Sequence, residues 1–344
     1  MRILLIKTSS LGDVVHNLPA ATDLRAAYPE AVIDWVVEEA FAAIPRLHPG
    51  IDQVIPVALR RWRKTPLAAA TWREVAAFRR TLAAQAYDLI IDTQGLLKSA
   101  LIARLAQGLH CGYDAASARE TLATRFYERT CSVPKALHAI ARNRQLAALA
   151  AGYTLPAGID YGIAAAPQDA GKVGAGETTA LQGGRARNAL LAVADGNTAL
   201  LLTATSRSDK LWPEDRWIAL GQALSQRGLT CLLPAGTAAE RARTARLAAA
   251  IPAARALPPL DLRALAQELA AARIVIGVDT GLVHLAAALG RPTLALFCAS
   301  EPTLTGVLAG SQSGTATDAP AINLGHRGAP PTVAEVLTHA EVWL

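Results

Sequence analysis

Cysteine is scarce and scattered: Cys111, Cys131, Cys231 and Cys298 are the only four in 344 residues. No two form a C-x-x-C pair, which argues against both a disulfide framework and a structural zinc site, so a reducing cytoplasm is the expected compartment. Long apolar runs are missing at the start. The opening MRILLIK has four consecutive apolar residues before Lys7, too few for a signal-peptide core and far below the roughly 20 that span a bilayer. The chain is expected to be neither exported nor threaded through a membrane. No D-x-D, H-E-x-x-H or His/Cys cluster occurs, so charge on a leaving group must be met by a helix dipole and cations rather than by a protein-held metal. A Walker A pattern is absent, and neither half opens with G-x-G-x-x-G, which weighs against a nicotinamide oxidoreductase. Lysine is rare too: six against 28 arginines, so each one invites a local reason.

What is present points to a compact α/β protein. At 344 residues, 52% hydrophobic and 18% charged, the chain can bury sizeable cores and fits two lobes. Cations outnumber anions 34 to 28, a net +6 that suits anionic small molecules or an anionic surface better than bulk nucleic acid.

The apolar run at 2–7, a Ser/Gly loop and a helical pattern from Val14 read as a buried parallel strand feeding a helix. Strand-like runs at 32–37, 53–57 and 87–92 alternate with Ala/Leu-rich stretches at 72–85 and 96–107, which predicts a parallel sheet with helices on both faces. Residues 164–188 are rich in Gly, Ala and polar side chains without a sustained period and read as a linker or loop. Beyond them the alternation restarts, with strands at 198–203, 229–233, 274–278 and 293–297 and helices at 214–226, 237–250, 262–271 and 282–289. The expected layout is an N-terminal domain over 1–163, a linker over 164–197 and a C-terminal domain over 198–325. At 326–344 a short amphipathic helix, begun at Pro330 and Pro331, is expected to fold back on the first lobe.

Four constellations carry chemistry. Thr8-Ser9-Ser10-Leu11-Gly12-Asp13 stands where a strand end meets a helix start, the place where open α/β sheets bind ligands. Asp13 there reads either as a helix N-cap or as a general base for an attacking sugar hydroxyl. Asp279-Thr280-Gly281-Leu282-Val283-His284 is again a strand end running into a helix, whose first-turn amides suit a diphosphate; His284 reads equally as a core histidine. Thr205 to Pro213 is a polar loop on the same side of the sheet. Its Lys210 is either a solvated lysine or a cation for a departing phosphate. Arg60-Arg61-Trp62-Arg63-Lys64 is a charge run that could be a solvated face, but its guanidinium forks suit the carboxylates and phosphates of a discrete anionic ligand, at a membrane surface for instance.

Six segments spread over both lobes, KTSSLGDVVHNLPA from Lys7, DWVVEEAFAAIP from Asp34, VIPVALRRWRK from Val54, DTQGLLKSA from Asp92, SRSDKLWPEDRW from Ser206 and VDTGLVHLAAAL from Val278, together resemble the ADP-heptose:lipopolysaccharide heptosyltransferases of glycosyltransferase family 9. The resemblance implies a GT-B-type fold of two doubly wound Rossmann-like lobes with the active site between them. It implies ADP-L-glycero-β-D-manno-heptose as donor, a Kdo residue of Kdo2-lipid A as acceptor, and inversion with no cofactor or essential metal. Carried over by position, Asp13 becomes the general base and Lys210 the group that stabilises departing ADP. Thr205, Ser206, Lys210, Thr280, Gly281 and His284 would hold the diphosphate, Asp279 the heptose and Glu240 the ribose. Arg60, Arg61, Arg63, Lys64 and Arg119 would grip the acceptor. The implied protein is a monomer, peripheral to the cytoplasmic leaflet of the inner membrane, with no nucleic-acid partner. Three departures stand out: Phe297 to Pro302 replace a Gly-Pro-Thr-like turn, Ser206 stands where a second Thr is common, and the Gly-rich linker is longer than usual. The rival readings are a transferase for a later heptose or another nucleotide sugar, and a non-catalytic nucleotide- or lipid A-binding protein.

Overall fold

The computed structural model describes residues 1–163, 196–310 and 321–344. The expected linker over 164–197 therefore lies almost wholly outside the described residues. The chain divides into two compact units.

In the first unit, strands β1 (Arg2–Ile6), β2 (Val32–Glu38), β3 (Gln53–Val57), β4 (Ala86–Asp92), β5 (Gln107–Tyr113) and β6 (Arg129–Cys131) form one sheet in the order β3-β2-β1-β4-β5-β6, every pair parallel. Helices α1 (Leu11–Val15), α2 (Leu18–Ala27), α3 (Leu59–Trp62), α4 (Ala69–Ala83), α5 (Leu97–Ala103) and α6 (Ala139–Ala151) connect and cover them. Ile3, Leu4, Leu5 and Ile6 are fully buried, which is why β1 reads as an unbroken apolar run: a central parallel strand is covered on both faces. The helix expected over 96–107 stops at Ala103, and β5 begins at Gln107. Its QGLHCGY has no apolar run. It is a strand because β4 and β6 pair with it on either side.

The second unit repeats the plan. Strands β7 (Thr198–Leu202), β8 (Thr230–Leu233), β9 (Ala254–Ala256), β10 (Ile274–Val278), β11 (Thr293–Leu296) and β12 (Ala321–Leu324) lie in the order β12-β11-β10-β7-β8-β9, and its helices are α7 (Glu214–Gln226), α8 (Ala238–Ala250), α9 (Leu262–Ala271), α10 (Gly281–Ala288) and α11 (Val333–Ala340). Both orders reverse between the first and fourth strands of their unit, and the loops leaving those strands flank the crevice where doubly wound sheets take ligands. Trp212 and Trp217 fill this core edge to face, with ring centroids 5.0 Å apart.

Two expectations about the chain's course need correction. The C-terminal helix, expected on the first lobe, belongs to the second unit. Val336 and Ala340 of α11 are buried in the second unit's own core, and Trp212 Nε1 and Arg216 Nη1 donate to Pro331 O at 2.9 and 3.0 Å, pinning the segment there. Conversely, residues 301–310, assigned by sequence to the C-terminal domain, join the first unit. Tyr161 Oη donates to Leu308 O at 3.0 Å, and His138 Nε2 lies 3.0 Å from Gly306 O. The amphipathic period of 333–340 was visible in sequence, but which apolar face it meets depends on side chains far away in the chain.

Candidate active site

In the first unit the loop leaving β1 is tied to the loop leaving β4. Thr8 and Ser9 amides both donate to Gln94 Oε1 at 3.1 Å, and Gln94 and Gly95 amides donate to Asp92 Oδ1. Asp92 is fully buried; Tyr127 Oη donates to its Oδ2 at 2.7 Å, and burial pushes its pKa up. Gly95 takes φ +65°, a conformation that disfavours any side chain, and a Cβ there would stand 3.0 Å from the Tyr113 ring.

Asp13 is not the N-cap. Ser10 holds that position, and Asp13, at the third position of α1, accepts from the Ser10 amide at 2.8 Å and the Ser10 hydroxyl at 3.2 Å, both on Oδ2. Its side chain keeps 19% exposure, and Arg119 Nη1 approaches the same oxygen at 3.7 Å. The fold thus brings together two residues 106 positions apart to which the resemblance gives complementary roles.

Behind them lies Lys7, a residue the sequence reading left without a role. Its ammonium is buried, donating to Thr93 O at 2.7 Å and Asn143 Oδ1 at 3.2 Å. Burial lowers its pKa from 10.5 to about 8; attraction to Asp13 opposes the drop and repulsion from Arg119 adds to it. Lys98 Nζ, a second unassigned lysine, donates to Ser9 Oγ at 3.0 Å. The scarcity of lysine was the available signal for both.

The basic segment is less uniform than its sequence. Arg60 lays its guanidinium over the Phe41 ring at 4.9 Å, and its amide donates to Glu38 Oε1. Arg61 is clamped: Nε and Nη2 each donate to Glu39 at 3.0 Å, and Nη1 to Glu74 at 2.9 Å, contacts that raise its pKa. Trp62 Nε1 donates to the other Glu74 oxygen at 2.8 Å. Three of the five N–H groups of Arg61 thereby hold the segment in place, and two remain on a half-exposed side chain. Arg63 and Lys64 stand exposed.

In the second unit the loops after β7 and β10 meet as expected. Lys210 Nζ and Ser300 Oγ both donate to Asp279 Oδ2 at 2.5 Å, and Thr205 Oγ1 donates to Asp279 O at 3.0 Å. The ammonium keeps two further donors beyond this pair. Thr280 is the extended N-cap of α10, so the amides starting at Gly281 have no partner within the helix. His284 is buried within that helix, and Ser206 is exposed on its loop. Glu240 closes the start of α8: its Oε2 accepts the amides of Gly236 and Thr237 at 2.8 and 3.0 Å, and its own amide donates to Thr237 Oγ1. Ser300 was missed because it lies in the stretch that departs from the usual turn. Among the described residues no three His, Cys, Asp or Glu groups gather to hold a metal, and no helix is long and apolar enough to cross a membrane.

A model of glycosyltransferase family 9 (heptosyltransferase) matches residues 75–327. The chain belongs to glycosyltransferase family 9. Lipopolysaccharide heptosyltransferase 1 of Pseudomonas aeruginosa is 45% identical over 93% of this chain and 85% of its own length, and that of Escherichia coli K12 is 43% identical over 89% and 90%. The structure of the E. coli heptosyltransferase WaaC with ADP superposes with a TM-score of 0.84 at 38% identity, all of both chains being covered. A second WaaC structure, with ADP-2-deoxy-2-fluoro heptose, gives 0.79 at 38% identity over 99% of each chain. The two parallel sheets described above are thus those of a GT-B-type family 9 enzyme.

Proposed function

We propose that this family 9 enzyme transfers L-glycero-D-manno-heptose from ADP-heptose to a Kdo hydroxyl of Kdo2-lipid A, inverting the anomeric centre, in assembly of the lipopolysaccharide inner core. The observation that carries the reading is the Asp13 carboxylate with Arg119 at 3.7 Å on the loop after β1. The cation draws an anionic acceptor, and the carboxylate takes the proton of the attacking hydroxyl. The relatives' names and their ADP-bound structures support the substrates.

The acceptor oxygen attacks the anomeric carbon as the bond to the β-phosphate oxygen breaks; its proton passes to Asp13 and the electron pair leaves with ADP. Lys210, held by Asp279, and the amides at Gly281 meet the growing phosphate charge, a service that requires no metal. Thr205, Ser206 and Thr280 hold the diphosphate with them, and His284 backs the same turn. Asp279 orients both Lys210 and the heptose, and Glu240 takes the ribose. Arg60, Arg63, Lys64 and Arg119 grip the acceptor's carboxylates and phosphates. The enzyme works as a monomer at the cytoplasmic leaflet of the inner membrane.

Incubation with ADP-heptose and Kdo2-lipid A in the presence of a chelator tests this. The account expects ADP and a singly heptosylated product in equal amounts. Transfer only to an already heptosylated core, or dependence on an added metal, would overturn it.

A further inference from the structure

We infer that Ser300 is a positioning residue for the donor: it shares one oxygen of Asp279 with Lys210 and so reserves the other oxygen for the sugar of the nucleotide sugar. This rests on the proposed reading in taking Asp279 as the heptose contact; the part given to Ser300 comes from the geometry around that carboxylate.

Asp279 directly follows β10, which pairs with β11 on one side and β7 on the other. Its backbone is gripped from both. On the β11 side the amide donates to Leu296 O at 3.1 Å, and on the β7 side the carbonyl accepts from Thr205 Oγ1 at 3.0 Å. The side chain repeats the pattern: Ser300, on the loop leaving β11, and Lys210, on the loop leaving β7, both donate to Oδ2 at 2.5 Å.

An ionised carboxylate offers acceptor positions on both oxygens, about four in all. Here both donors take Oδ2, and among the described residues none reaches Oδ1. Oδ1 is not one of the buried atoms left without a partner, and the side chain keeps 12% exposure, so this oxygen is open to the hydroxyls of a ligand.

Lys210 alone would not enforce that division. An ammonium is a compact charge with three rotatable donors, and it can settle on either carboxylate oxygen or between them. The torsion that turns a carboxylate about its Cβ–Cγ bond is broad. A hydroxyl arriving from the other side of β10 fixes the carboxylate plane. It also holds Lys210 to one edge, with two N–H groups left for phosphate.

The test compares wild type, Ser300→Ala and Ser300→Thr. Ser300 is only partly buried, so the alanine variant opens no cavity in the core. Calorimetry should find Ser300→Ala binding ADP within about threefold of wild type but ADP-heptose roughly tenfold more weakly, and its kcat should fall roughly tenfold, as expected for losing one hydrogen bond to a charged group. Ser300→Thr keeps a hydroxyl and should restore both. A serine that merely held its loop would weaken ADP and ADP-heptose alike. Lysine-selective nitrogen NMR of the unliganded protein reads the pair directly, because the chain has only six lysines. The Lys210 Nζ signal, assigned with Lys210→Met, should move in Ser300→Ala and return in Ser300→Thr. An unchanged ratio of ADP to ADP-heptose affinity in Ser300→Ala would overturn the inference, as would a Lys210 signal indifferent to the substitution. A wild type that binds ADP but neither binds ADP-heptose nor transfers heptose would instead remove the functional reading, and the Lys210 signal would then decide the hold of Ser300 on the pair by itself.

Discussion

Replacing Lys7 by Met tests the electrostatics beneath Asp13. The drop of the lysine pKa from 10.5 to about 8 corresponds to about 3 kcal/mol against the buried ammonium at neutral pH. Methionine removes that penalty but leaves Thr93 O and Asn143 Oδ1 without their donor, a loss of about 1–2 kcal/mol. The variant should therefore be more stable than wild type by about 1–2 kcal/mol at pH 7. The sign changes with pH. Because the folded-state pKa lies below that of the unfolded chain, the wild-type penalty is complete below pH 8 and fades as pH climbs from 8 to 10.5, where the unfolded chain still holds the proton. Above that range only the lost hydrogen bonds remain, and the variant should be the less stable protein. Urea unfolding of both proteins across this range reads the difference directly, since all other titrations are shared. A difference that stays flat between pH 7 and 10.5 would refute the assignment of a buried, charged Lys7.

Lys210→Met should lower kcat by roughly 10²-fold and weaken ADP binding, because the leaving phosphate loses its cation and Asp279 loses a partner; steady-state kinetics and calorimetric ADP titration check both. Arg61→Ala and Glu74→Gln should raise the acceptor KM by similar factors with the donor KM unchanged, since both release the same clamp. An effect of Arg61→Ala far larger than that of Glu74→Gln would instead place Arg61 on the acceptor.

The sequence showed the parallel alternation well wherever burial on both faces forces an apolar run, as at Ile3 to Ile6 and Ile274 to Val278. It did not show β5, whose Gly, Gln and His residues are strand only because neighbours pair with them. It placed Lys210 and Asp279 on the same side of one sheet, since both loops leave strand carboxyl ends, and the structure closes that pair to 2.5 Å. The Arg61 clamp was invisible: Glu39 and Glu74 stand 22 and 13 residues away, and a charge run shows cations without the carboxylates that will meet them. Asp13 could be read as a cap or a base from spacing alone. The structure moves the cap to Ser10, with the Asp13 carboxylate helping to close that turn.

The account stands or falls on that carboxylate. Asp13→Asn keeps the shape and can still accept from the Ser10 amide, but cannot take a proton. With ADP-heptose and Kdo2-lipid A as substrates, it should turn over roughly 10²- to 10⁴-fold more slowly while binding ADP as tightly as wild type. Turnover within a few-fold of wild type would contradict the claim that Asp13 deprotonates the acceptor.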